Sequence, residues 1–208
     1  MTPRKRAPMS IVQYNAPVIL TFALISLGAL ALAHFTDDRS NQLFFMVYRA
    51  PLTDPLMYLR LFTHALGHAD MSHFISNFFI IMLVGPMLEE KYGGKWLIIM
   101  MVVTAFVTGI LHVAVLPFPH AKLGASGIVF MMMLLGSFTN LSKGRIPLTF
   151  IFALFFYIGR EVMIYANAGA TTNIAHMTHI VGGLCGAVFG FIINKDKWQK
   201  EHGLSFIE

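Results

Sequence analysis

Six long apolar runs govern what this chain can fold into, at residues 16–34, 74–88, 96–117, 128–142, 146–166 and 174–193. A helix needs about 20 apolar residues to cross the hydrocarbon core of a bilayer. The first and third runs meet that length outright. The second and fourth are shorter and extend into polar residues at their N-terminal ends, and the fifth carries Arg160 and Glu161 near its end. Only 12% of the residues are charged and 56% are hydrophobic, whereas a soluble domain carries about 25% charge. The pattern predicts an all-α membrane protein of six transmembrane helices, forming a single domain over residues 1–208.

Lysine and arginine set the orientation, because cytoplasmic loops carry their excess. With the N-terminus inside, the inner segments hold Arg4, Lys5, Arg6, Lys91, Lys95, Lys143, Arg145, Lys195, Lys197 and Lys200. The outer segments hold Arg39, Arg49, Arg60, Lys122 and Arg160. Both termini then lie in the cytoplasm, residues 1–14 as an N-terminal segment and 195–208 as a short tail. This bias explains the net charge of +5. Nucleic-acid binding asks for a basic face with interleaved aromatics, and none is present. Arg4–Arg6 followed by an apolar run and Ala29-Leu30-Ala31 resembles a signal peptide, but the run exceeds the roughly 7–15 residues of a signal core. It is therefore read as a retained span. The single Cys185 forms no internal disulfide and reads as a packing residue. The long outer segment, 35–72, contains amphipathic stretches that predict short helices on the membrane surface.

This topology gathers the polar side chains at one depth. Spans two, four and six all start at the outer face. His68, His73 and Asn77 lie at the start of span two, Gly124-Ala125-Ser126-Gly127 at the start of span four, and His176 and His179 at the start of span six. A serine hydroxyl becomes a nucleophile when a base takes its proton, and neutral histidine is the usual base near pH 7. A developing oxyanion needs preorganised donors. Ser126 stands where a loop enters a helix, so nearby N–H groups have no helical acceptor. His73 and Asn77 are four apart and share a helix face, pointing two donors at one site.

Gly182 and Gly186 form a small-xxx-small face of the kind that lets membrane helices approach closely. His179 precedes Gly182 by three residues and lies on about the same face. If this face packs on span four, His179 is drawn to Ser126. His176 lacks a glycine at plus three, which favours His179 as the base. His112 near the outer end of span three is a further rival, and His64 and His68 read as loop histidines bonded to backbone or water. Taken alone, Ser126 would be a helix cap and Asn77 a tie between helices.

These motifs resemble those of the rhomboid proteases. Gly124-Ala125-Ser126-Gly127 is similar to the family's GxSG nucleophile motif, and His68, His73 and Asn77 match its HxxxxHxxxN spacing. His179, Gly182 and Gly186 match the HxxGxxxG of its last helix. The resemblance covers about residues 55–190, and the short six-helix form of the family covers nearly the whole chain. It implies a Ser126–His179 dyad with no acidic third member, with His73 and Asn77 joining the Ser126 N–H at the oxyanion. It also implies single-pass transmembrane protein substrates, cut in or near their membrane segment, with no cofactor and no metal. Two positions depart from the family pattern. Leu59 stands before Arg60 where a tryptophan is common, and Phe130 stands one turn after Ser126 where a tyrosine is common. The expected location is a bacterial plasma membrane, among its lipids, as a multi-pass protein.

Two other function classes compete. A metal-dependent membrane enzyme or transporter would use His64, His68, His73, His176 and His179, but no His-Glu-x-x-His occurs and Asp70 is the only carboxylate close to the histidine run. An inactive rhomboid relative that binds transmembrane clients would not need the intact Ser126 and His179.

Overall fold

The computed structural model describes residues 15–115, 121–137 and 173–202, together with positions 148, 151, 152, 155, 159 and 163. Most of the fifth apolar run thus lies outside the described residues, as do Arg160, Glu161, Lys143, Arg145 and the segment before residue 15. The described elements are α1 (Pro17–Phe35), a π-helical turn (Asn41–Phe45), α2 (Pro55–Thr63), α3 (Met71–Tyr92), α4 (Gly94–Val115), α5 (Ser126–Ser137) and α6 (Asn173–His202). Among the described residues there is no strand, only an isolated bridge between Val47 and Lys122. Among the described residues three helices are long and apolar enough to cross a membrane: Pro17–Phe35, Met71–Tyr92 and Gly94–Ala114. Shorter apolar helices cover Ser126–Ser137 and Thr178–Ile193.

The helix ends are written in the sequence. Asp54 caps α2 by accepting from the Leu56 N–H at 2.9 Å, with Pro55 following it. Asp70 caps α3 by accepting from the His73 N–H at 2.7 Å. α1 has no cap of its own. Its first N–H groups, on Val18 and Ile19, donate instead to the two carboxylate oxygens of Glu89, at 2.9 and 3.0 Å. A buried carboxylate is satisfied there by two donors and by the positive end of the α1 dipole. Glu89 therefore ties the start of α1 to the end of α3.

α5 is the central helix. Met131, Met132, Met133 and Leu135 are fully buried, and a helix apolar on every side belongs in a core. Methionine suits such irregular gaps because it is unbranched and flexible. The outer helices show the reverse pattern, with Leu24, Phe79 and Ile98 exposed. Apolar side chains facing outward on helices of spanning length are those of a surface solvated by lipid.

The glycine face of α6 packs on α5 as its sequence predicts. A Cβ at Gly182 would fall on the carbonyl of Gly127, and one at Gly186 on the carbonyl of Met131. The two contact points are four residues apart on each helix and run in the same direction. α5 and α6 are therefore parallel, with both N-terminal ends on one side. The stretch after residue 194, expected from its polar sequence as a frayed end or a brief helix, is helical as far as His202. The 35–72 segment does contain short helices, the π-helical turn and α2.

Candidate active site

The loop before Ser126 is pinned by three backbone hydrogen bonds. Lys122 and Val47 exchange backbone hydrogen bonds at 2.8 and 3.0 Å, and the Gly124 N–H donates to the His64 carbonyl at 2.8 Å. Gly124 has φ +122°, a conformation that strains any residue with a Cβ. There is also no room for one: a Cβ there would stand 2.8 Å from His73 Nε2 and 3.8 Å from Asn77 Nδ2. The imidazole of His73 and the amide of Asn77 thus lie against the backbone two residues before Ser126. Asn77 is 2% exposed, and its Nδ2 has no hydrogen-bond partner among the described residues. Leaving a buried donor unpaired costs about 1–3 kcal/mol, so this amide has the capacity to take an acceptor.

Ser126 opens α5 and is 8% exposed. The first-turn N–H groups around it have no intrahelical acceptor. Phe130, four residues on, shares its helix face. The imidazole of His179 stacks on that ring, with centroids 4.6 Å apart and planes at 16°. His179 is itself buried. It sits one turn before Gly182, which rests on Gly127, the residue after Ser126. The structure therefore brings His179 to the Ser126 face of α5, and His73 and Asn77 to the loop that delivers Ser126. The side chain of His176 lies outside the described residues.

The remaining histidines have other surroundings. His64 Nε2 lies 2.9 Å from the Ala105 carbonyl, a backbone partner as the sequence predicts. Burial pushes its imidazole down to about 3, and the nearby Lys122 ammonium adds to the effect. His68 is fully buried, with Nδ1 3.2 Å from the Leu66 carbonyl. Its ring meets that of His73 edge-on at 5.1 Å. Burial, then the His73 charge, lower it to about 4, so it is a neutral support for His73 at neutral pH. His112 is buried on α4. Among the described residues no three His, Cys, Asp or Glu side chains gather as a metal site.

Arg60 holds the outer segment together. It is 1% exposed. Its guanidinium pairs with Asp54 at 2.6 Å, donates to the Leu43 carbonyl at 3.2 Å and lies over the Tyr48 ring at 4.3 Å. Leu59, the departure beside it, is 43% exposed and takes no part in that arrangement. One feature escaped the sequence reading: Lys122 has a buried Nζ without a hydrogen-bond partner among the described residues. Burial pushes its amine down to about 7. Its place two residues before Gly124 is the only sequence signal that bears on it.

Comparison with known protein families matches residues 55–196 to the Rhomboid domain. Rhomboid-like protein 11, chloroplastic, of Arabidopsis thaliana is similar to the chain, with 24% identity over 194 residues that cover 88% of this chain and 68% of that protein.

Proposed function

The chain belongs to the rhomboid family, whose members are in general intramembrane serine proteases, and on that premise we propose that it is an endopeptidase cutting single-pass transmembrane proteins in or near their membrane segment. His179 takes the proton of Ser126 Oγ, which attacks the scissile carbonyl. The Ser126 N–H, the Asn77 amide and His73 donate to the oxyanion. His179 returns the proton to the leaving amine, and water then hydrolyses the acyl-enzyme. The observation that carries this reading is the seating of Gly182 and Gly186 on α5, which holds His179 flat on Phe130 one turn from Ser126. The orphan Nδ2 of Asn77 supports its role as an oxyanion donor.

The accompanying topology has six spans and both termini in the cytoplasm, as a single rhomboid domain of a multi-pass plasma-membrane protein. The parallel α5–α6 pair supports it, since spans four and six must then run the same way. Cleavage of a transmembrane reporter by detergent-purified protein tests the activity. Wild type should cut it and Ser126→Ala should not. Equal cleavage by both would remove Ser126 from the chemistry.

A further inference from the structure

A crevice of about 460 Å³ opens between α1 and α4, within the roughly 300–1,000 Å³ range of small-ligand sites. Phe22 and Ile25 of α1 and Ile98 and Val102 of α4 line it, with Phe62 from α2, and it reaches the buried Ala105 and Ile128. Both helices are of spanning length. Ile25, Ile98 and Val102 remain 52%, 48% and 47% exposed, so the crevice is continuous with the surface facing hydrocarbon. Water does not suit it, because a buried water needs about 2–4 polar partners. The hydroxyls in its wall are those of Thr21 and Thr63, and the single Thr63 proton is already shared between the carbonyls of Phe44 and Leu59.

The N-terminal ends of α1 and α4 lie together, since a Cβ at Gly94 would stand 3.0 Å from Val18 Cγ2. At that end Lys95 and Trp96 are exposed. Lysine and tryptophan are residues of the headgroup level. A phosphate has its cation there, and the crevice runs inward from it along the first two turns of α1.

We propose that this crevice is a binding site for one acyl chain of a membrane phospholipid. The chain would lie against Ile128, two residues after Ser126. It would also lie against Ala105, whose carbonyl holds His64 Nε2 while the His64 carbonyl holds the Gly124 N–H. Occupancy therefore buttresses the loop that delivers Ser126, and this last consequence rests on the protease reading, whereas the binding does not.

The test uses the full chain in palmitoyl-oleoyl phosphatidylcholine vesicles doped with a phosphatidylcholine bearing a diazirine in its acyl chain. After irradiation, adducts are mapped by peptide mass spectrometry. Adducts are expected on the buried Ala105 and Ile128 as well as on the lipid-facing Leu24 and Phe79. Val102→Trp, a change at the exposed rim, should cut the Ala105 and Ile128 adducts at least fivefold and leave those on Leu24 and Phe79 unchanged. Ile98→Trp serves as a second blocking variant should the first fail to fold. Ser126→Ala should label like wild type, so the binding result stands or falls apart from the chemistry. Adducts confined to Leu24 and Phe79 in wild type would overturn the proposal, as would equal labelling of Ala105 and Ile128 in both blocking variants. Reporter cleavage should fall in Val102→Trp and not in Leu24→Trp. Absence of cleavage in wild type would count against the protease reading alone.

Discussion

The imidazole of His179 lies flat on the ring of Phe130, with centroids 4.6 Å apart and planes at 16°. The stack fixes the ring plane of the proposed base without a hydroxyl. Ring pairs of this kind contribute about 0.5–1.5 kcal/mol beyond the area they bury. Phe130→Ala should therefore lower kcat roughly two- to tenfold with little change in KM. Phe130→Tyr should keep wild-type turnover. Steady-state cleavage of a transmembrane reporter reads both, and a Phe130→Ala enzyme as fast as wild type would deny the stack a positioning role.

The α5–α6 contact makes some glycines irreplaceable and others ordinary. Gly182→Ala and Gly186→Ala drive a methyl into backbone carbonyls that cannot yield, an overpacking that costs about 1–3 kcal/mol or more. Both should lower the melting temperature in detergent and abolish cleavage. Gly183→Ala meets only Leu134 side-chain atoms at 3.5 Å and should be tolerated. Gly28→Ala meets nothing within 4 Å and should be neutral or stabilising by up to about 1 kcal/mol, since alanine is the better helix former.

Acid should loosen the outer layer through His64 and Lys122. The folded protein holds His64 neutral down to about 3, whereas the unfolded chain protonates it near 6.5. The unfolded state then binds more protons between these values, so stability is complete above about pH 6.5 and falls as pH drops. His64→Gln should flatten the melting temperature between pH 6.5 and 5. Lys122 has the same sign over a higher window, because its folded value of about 7 lies below the roughly 10.4 of an exposed lysine. Stability should rise with pH between these limits in wild type. Lys122→Met should remove that rise and be the more stable protein at pH 7.

Arg60 is a different kind of test, because lysine does not replace a guanidinium that forks to Asp54 and Leu43 and stacks on Tyr48. Arg60→Lys and Arg60→Ala should both release the outer segment, read as faster tryptic cleavage at the exposed Arg49. The pairing with Arg60 holds the Asp54 carboxyl below its ordinary value. That depressed carboxyl contributes stability above the usual carboxylate range, and the contribution is lost as pH falls below it.

What was legible in the sequence follows from periodicity. The register of Gly182 and Gly186 with His179 announced the α5–α6 contact, because a small-residue face four apart has one way to pack closely. The caps Asp54 and Asp70 are local signals too, although hydropathy alone does not single them out as the starts of α2 and α3. Contacts between segments far apart in the chain carried no such signal. The two donors that Glu89 accepts from α1 lie 71 and 70 residues away, and in sequence Glu89 is one of several charges at the end of a run. The pairing of Val47 with Lys122, and the burial of Lys122 that it brings, depend on how the outer segment folds over α4. Span lengths were legible only approximately: α3 extends beyond the apolar run 74–88 at both ends because Asp70 and Gly93, not hydropathy, set its limits.

A Ser126 nucleophile activated by His179 should react covalently with electrophiles that imitate a scissile carbonyl. The most direct measurement is covalent labelling with a fluorophosphonate probe, mapped by mass spectrometry on wild type, Ser126→Ala and His179→Ala. A single adduct on Ser126 in wild type, lost in both variants and indifferent to chelator, is the expected result. Labelling that persists in Ser126→Ala, or labelling of Ser126 unchanged in His179→Ala, would contradict the account.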